Sequence, residues 1–168
     1  KHDFYNTDNI YKVWLNAGND VALLSEAGCP CVADPGHHIV AYCHEHGIPV
    51  APLIGASSIL MALMASGLNG QQFTFHGYAP INEKERKSFI TQIDKIKKYT
   101  HILIETPHRN MALLLALLEH CNHNSMLCIA QDISGERQYI HSKNIAWWKS
   151  HQPQLAKLPT IFLINHSK

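Results

Sequence analysis

The sequence has no G-x-G-x-x-G stretch and no phosphate-loop lysine, so the usual dinucleotide and nucleotide fingerprints are absent. It is also short of charge. Only 16% of its 168 residues are Asp, Glu, Lys or Arg, and the formal net charge is +1. A balance so near zero gives no global pull toward nucleic acid or an anionic membrane and leaves only local patches as candidates. The cysteines stand at 29, 31, 43, 121 and 128, an odd set with no C-x-x-C and no regular spacing. That argues against a disulfide framework and points to reduced thiols in a cytoplasm. No uninterrupted apolar run reaches the length of a membrane span. The nearest candidate, residues 48–68, is broken by Pro49, Pro52, Gly55, Ser57, Ser58, Ser66 and Gly67. It divides into strand, loop and helix. Internal repeats and low-complexity tracts are absent.

What is present is apolar material, at 46% of residues, enough to fold and bury a core. The length suits one ordinary domain or two small ones. The chain is organised around residues 23–36, LLSEAGCPCVADPG. The short β-favouring run from Val21 to Leu24 ends abruptly in a stretch too rich in Gly, Pro and small residues for helix or strand. Loops at the carboxyl ends of parallel strands are where open α/β sheets bind ligands, and Gly28 lets a ligand approach the main chain. A tight strand-to-helix connection with no ligand is the plain alternative.

The pattern predicts a helix over 9–17, with Ile10, Tyr11, Trp14 and Leu15 on one stripe, Thr7 or Asp8 as its cap and Gly18 as its stop. A strand follows at 21–25, a helix at 37–46, a second strand at 48–53, a loop at 54–57 and a small-residue helix at 58–66. Two strands are too few for an open parallel sheet. The expectation is therefore a longer polypeptide whose preceding part supplies further strands. Gly and Asn cluster near 67–72, which divides the chain into an N-terminal α/β domain, 1–70, and a C-terminal α/β domain, 71–168. The second part is read as strands 73–77, 101–105, 126–130, 138–142 and 159–165, with helices at 82–99, 109–120 and 145–149. Residues 126–130 and 138–142 are close enough to pair as a hairpin, so a mixed sheet is expected there.

Each candidate for chemistry has a plain reading beside it. His37, His38, Cys43, His44 and His46 are dense, but they lack clean metal-ligand spacing and read as a solvated helix face. Cys29 has no base or cation nearby in sequence, so it reads as a small residue chosen for close approach rather than a nucleophile. Ser57 and Ser58 either cap a helix or hold a ligand's polar groups. Glu105, His108 and Arg109 end a strand and open a helix; a functional cluster and a turn with Glu105 paired to Arg109 both remain open.

Taken in order, SEAGCPCVADPG, PLIGASSILMALMASGL, FTFHGYAP and IETPHRN resemble the tetrapyrrole methylase superfamily, nearest to its small-subunit ribosomal RNA cytidine 2′-O-methyltransferase branch. The resemblance covers Leu23 to about Arg109 and is looser beyond. It implies a two-domain α/β methyltransferase, usually a homodimer, with S-adenosylmethionine between its domains. Carried over by position, Gly28, Cys29, Pro30 and Val32 line the cofactor, Ser57 and Ser58 touch it from the second loop, and Thr106, Pro107 and Thr160 reach it from the C-terminal domain. The family's opening strand and its E-D-x-R segment have no counterpart here. Cys29 stands where threonine is usual, and Glu26 where aspartate is usual.

The chemistry so implied is in-line methyl transfer, for which positioning supplies much of the rate. A ribose hydroxyl acceptor would use a general base, with Glu26 and Glu105 as candidates and His108 a weaker one. Lys84, Arg86 and Lys87 are candidate contacts to ribosomal RNA phosphates, joined by His108 and Arg109; an ordinary solvated face is the alternative for the helix cations. No metal is expected. Two other functions stay open: methylation of a small tetrapyrrole, and a catalytically silent relative that binds cofactor or a partner.

Overall fold

The computed structural model describes residues 10–166. The irregular lead at 1–7 and the Thr7 or Asp8 cap lie outside the described residues. Packing divides the chain into two compact units, Lys1–Ser57 and Ser58–Lys168.

The first unit contains α1 (Ile10–Asn16) and α2 (His37–Glu45). Tyr42 ties them together: its hydroxyl exchanges hydrogen bonds with the Asn16 amide at 3.0 and 3.2 Å, and Tyr11 meets its ring edge-on. Gly47, at φ 66°, turns the chain out of α2, and the Ile48 N–H closes the end on the Cys43 carbonyl at 2.8 Å. The strands expected at 21–25 and 48–53 do not form; both segments are irregular, and Val21, Leu24, Val50 and Leu53 are exposed. A strand exists only with a hydrogen-bonded partner, and two short segments do not make a stable parallel sheet. The parallel sheet expected for this part is therefore absent from the described residues.

The second unit is an α/β layer structure. It begins with α3 (Ser58–Ser66) and continues through β1 (Phe73–Tyr78), α4 (Glu83–Lys95), β2 (Thr100–Glu105), a 3₁₀ turn (Pro107–Arg109), α5 (Asn110–His120), β3 (Ser125–Gln131), β4 (Tyr139–Asn144), α6 (Ile145–Ser150) and β5 (Thr160–His166). The strands form one mixed sheet in the order β1-β2-β5-β3-β4. β1 runs parallel to β2, every other pair is antiparallel, and β3 and β4 form the expected hairpin. The helix expected over 82–99 stops at Lys95, and the one expected from 109 opens with the 3₁₀ turn. The composition boundary near 67–72 lies beyond α3, whereas the packing division precedes it, because α3 rests on this sheet.

Side-chain alternation along the central strands builds two cores. Leu103, Leu127, Ile129, Phe162 and Ile164 face α4, α5 and α6, where Ile90, Ile93, Leu113, Leu114, Leu117 and Trp148 meet them. Ile102, Cys128, Ala130, Ile161 and Leu163 face the other way, under Ala62 and Leu63 of α3. Burial on both faces explains why β2, β3 and β5 read as continuous apolar runs.

Candidate functional site

In the first unit the loop after Leu24 folds on itself. The Ser25 hydroxyl donates to the Ala27 carbonyl at 2.9 Å, and the Val32 N–H closes a turn on the Cys29 carbonyl at 3.2 Å. Gly28 has φ 77°, and a Cβ built on it would meet nothing within 4 Å, so this main chain is open on that side. Cys31 and Ala33 also take left-handed backbone, at φ 66° and 55°, a strain on the order of 1 kcal/mol each. The Cys29 thiol lies 3.7 Å from the Ala56 carbonyl, which brings the 54–57 loop against the Gly28 loop. The sequence-predicted Gly28, Cys29, Pro30 and Ser57 thus belong to two neighbouring loops. Val32 and Glu26 are exposed on the first of them.

In the second unit the carboxyl ends of β2 and β3 meet the start of β5 and the head of α5. Thr160 stands in register between Glu105 on one side and Gln131 on the other. The Asn110 amide donates to the Leu158 carbonyl at 2.8 Å and to the Thr160 hydroxyl at 2.9 Å. The Gln131 amide donates to the same hydroxyl at 2.8 Å and to the Ala156 carbonyl at 3.0 Å, and its own oxygen accepts the Ala156 N–H at 3.2 Å. The Thr160 hydroxyl in turn donates to the Leu158 carbonyl at 3.0 Å. One donor and two acceptor positions are then all used, so Thr160 reaches a ligand only through its main chain. Asn110 Oδ1, on a residue 1% exposed, has no hydrogen-bond partner.

Glu105 is buried in the same corner. Its Oε1 accepts the Thr106 N–H at 2.7 Å, and Arg109 Nη2 lies 2.8 Å from Oε2. That approach is an ion pair without hydrogen-bond alignment, since Oε2 has no directed partner. The Glu105–Arg109 pairing left open by the sequence is therefore formed. Arg109 Nη2 also reaches the Ala79 carbonyl at 3.5 Å, which ties this corner to the Gly-Tyr-Ala-Pro turn after β1. Thr106 and His108 are exposed beside it, and Pro107 is half-buried at the start of the 3₁₀ turn.

α4 begins just after that turn. The Asn82 side chain caps it by accepting the Lys84 and Glu85 N–H groups at 3.0 and 3.3 Å. Lys84 and Lys87 are exposed, whereas Arg86 folds back to donate to the Ile81 carbonyl at 3.1 Å. Beneath α4, His101 Nε2–H donates to the Ile96 carbonyl at 3.0 Å, so its Nδ1 must accept from His76 Nε2–H at 2.9 Å. Burial first, and His101 second, hold the His76 imidazole below its ordinary pKa. No group of three or more potential metal ligands exists among the described residues.

The structure thus gathers Glu105, Thr106, Pro107, Arg109 and Thr160 in one corner and leaves Lys84 and Lys87 on a helix face. Sequence reasoning missed Asn110 and Gln131. The available signal was an amide at the head of an apolar helix and another at the end of an apolar run.

The chain matches the family model for tetrapyrrole (corrin/porphyrin) methylases over residues 7–146. It is 34% identical over 132 residues to ribosomal RNA small subunit methyltransferase I of Vibrio cholerae, covering 79% of this chain and 46% of that protein. To the protein of the same name from Haemophilus influenzae it is 31% identical over 154 residues, 90% of this chain and 54% of the other. The chain spans about half the length of the curated relatives it matches. Among solved structures, the methyltransferase CobJ superposes with a TM-score of 0.62 at 15% identity, covering 94% of this chain and 70% of that one. The S-adenosylhomocysteine complex of Thermus thermophilus uroporphyrin-III C-methyltransferase gives 0.54 at 16% identity, covering 96% and 74%. These likenesses establish the fold.

Proposed function

From a chain that belongs to the tetrapyrrole methylase family, we propose an S-adenosylmethionine-dependent methyltransferase that acts on ribosomal RNA, at a ribose 2′-hydroxyl. The observation that carries the reading is the sequence identity to relatives named ribosomal RNA small subunit methyltransferase I. The residues present suit the cofactor. Gly28 offers open main chain, Cys29 and Ala56 keep the neighbouring loops small, and Asn110 Oδ1 is a buried acceptor without a donor. Open main chain and the unpaired Asn110 oxygen suit a nucleoside and an amino acid better than a phosphate or a metal ion.

Bound here, S-adenosylmethionine would supply a methyl group already activated on sulfonium. The chain's task is then to bind and to aim. The proposed cofactor contacts are Gly28, Cys29, Pro30, Val32 and Ser57 in the first unit, and Ser58, Thr106, Pro107 and the main chain at Thr160 in the second. Glu26 is the freer base for a ribose hydroxyl, because both oxygens of Glu105 are engaged. Arg109 serves better as a strut than as a phosphate ligand, which leaves Lys84 and Lys87 as the RNA contacts, with His108 beside the corner. Arg86 is drawn to its own Ile81 carbonyl. A cytoplasmic homodimer completes the proposal; among the described residues no helix is long and apolar enough to cross a membrane.

Calorimetric titration with S-adenosylhomocysteine tests the cofactor, and methyl transfer to isolated small ribosomal subunits tests the substrate. Saturable binding with label in a ribose of the RNA is the expected result. Binding without any transfer would move the protein to a silent cofactor-binding role, and transfer to a tetrapyrrole instead of RNA would replace the substrate.

A further inference from the structure

We propose that Asn110 and Gln131 are positioning residues. Acting through Thr160, they hold the 156–160 segment in the shape that receives S-adenosylmethionine. The inference rests on the cofactor reading above and adds residues that neither the motifs nor the family resemblance assigns.

The argument begins with where the segment gets its shape. Residues 151–159 form no helix or strand between α6 and β5. Their backbone groups must still find partners where they are buried. Ala156 and Leu158 aim their carbonyls inward, at the side-chain amides of Gln131 and Asn110. Those amides come from α5 and β3, two elements fixed by the main core. The Thr160 hydroxyl joins them, accepting from both and donating back to Leu158. The Asp132 N–H bonds the Pro159 carbonyl at 3.0 Å from outside the triangle. Six side-chain bonds at 2.8–3.2 Å therefore bind Ala156, Leu158 and Thr160, at the end of an otherwise irregular stretch, to α5 and the rigid sheet. Each partner lies in a buried corner, where losing one of these bonds is costly because the group left behind is cut off from water. No member titrates, so the device works equally across pH. The segment ends at Thr160, in register with Glu105 and one residue from Thr106, the sequence-predicted ligand contact. A site whose contacts are made by main chain needs that main chain held still.

The test titrates S-adenosylhomocysteine into the whole chain as wild type and as Thr160→Val, Thr160→Ser and Gln131→Met. Amide hydrogen exchange at Ala156 and Asp132 is followed in each. Thr160→Val keeps the shape and removes the hydroxyl; Thr160→Ser restores it. Positioning predicts faster exchange at both amides and a Kd raised about tenfold or more in Thr160→Val and Gln131→Met, with Thr160→Ser within about threefold of wild type. Far-UV circular dichroism checks folding, and Gln131→Met decides the matter if Thr160→Val unfolds. Faster exchange with an unchanged Kd overturns the inference, since a merely structural clamp behaves that way. A wild-type chain that binds no S-adenosylhomocysteine overturns the cofactor reading and this inference with it, an outcome separated from the former by the wild type alone.

Discussion

At the scale of single residues, buried groups with one obligatory partner dominate. The Glu105 side chain is 1% exposed and Arg109 supplies its counter-charge at 2.8 Å. Arg109→Ala should therefore cost about 3 kcal/mol, the penalty of a stranded buried carboxylate, whereas Glu105→Gln should cost less; chemical denaturation of both variants measures the difference. The cysteines separate by environment. Cys43, Cys121 and Cys128 are buried, and Cys29 and Cys31 are partly exposed. Burial pushes the Cys128 thiol up to about 12, and burial together with Asp94 raises Cys121 as well. A colourimetric thiol reagent at neutral pH should titrate Cys29 and Cys31 quickly and the other three only after denaturation; rapid loss of all five in the native protein would contradict the buried placement. The sequence revealed the Glu105–Arg109 pair because the two residues are only four apart, across one strand-to-helix corner. It did not reveal Asn110 or Gln131, whose partners lie 25–50 residues away and are mostly backbone carbonyls, invisible in a string of side chains.

At the scale of elements, α4 shows how local chemistry and function can be probed apart. Asn82 satisfies two of the helix's first N–H groups, so Asn82→Ala should lower stability by about 1 kcal/mol, read as a lower denaturation midpoint. Lys84 and Lys87 are exposed on the first turns. Changing both to Glu should leave that midpoint nearly unchanged yet weaken RNA binding, with a shallower dependence on salt. Unaltered RNA affinity would remove this face from the substrate footprint. The helices and the strands of the second unit were legible because their apolar residues follow periods of 3.6 or form short buried runs, as in Ile102 to Ile104 and Ile161 to Ile164. The segments at 21–25 and 48–53 carry the same β-favouring residues and form no strand. Propensity is written in a segment; its partner is not.

At the scale of the whole molecule, pH and connectivity set the behaviour. His76 has a pKa held below its ordinary 6.5 in the folded chain. The unfolded chain therefore takes up the proton first as pH falls, so this group's contribution to stability is present above about 6.5 and is lost as pH drops toward the folded value. Melting temperature should fall between about pH 7.5 and pH 5.5, and less steeply in His76→Gln, which keeps a donor for His101. A variant as steep as wild type would assign the slope to other histidines. The α/β class and the mixed sheet could be read from the alternation of elements, but strand order could not, because burial patterns specify faces and not neighbours. That order has a consequence for synthesis. β5 is the last described strand and lies between β2 and β3. While a ribosome is still making residues 100–150, β1 with β2 and β3 with β4 can exist only as two separate ribbons, each with an open apolar edge. The nascent chain must keep those edges apart until β5 emerges and joins them, so chaperone dependence and losses to aggregation during expression should be governed by the delay before β5 is delivered.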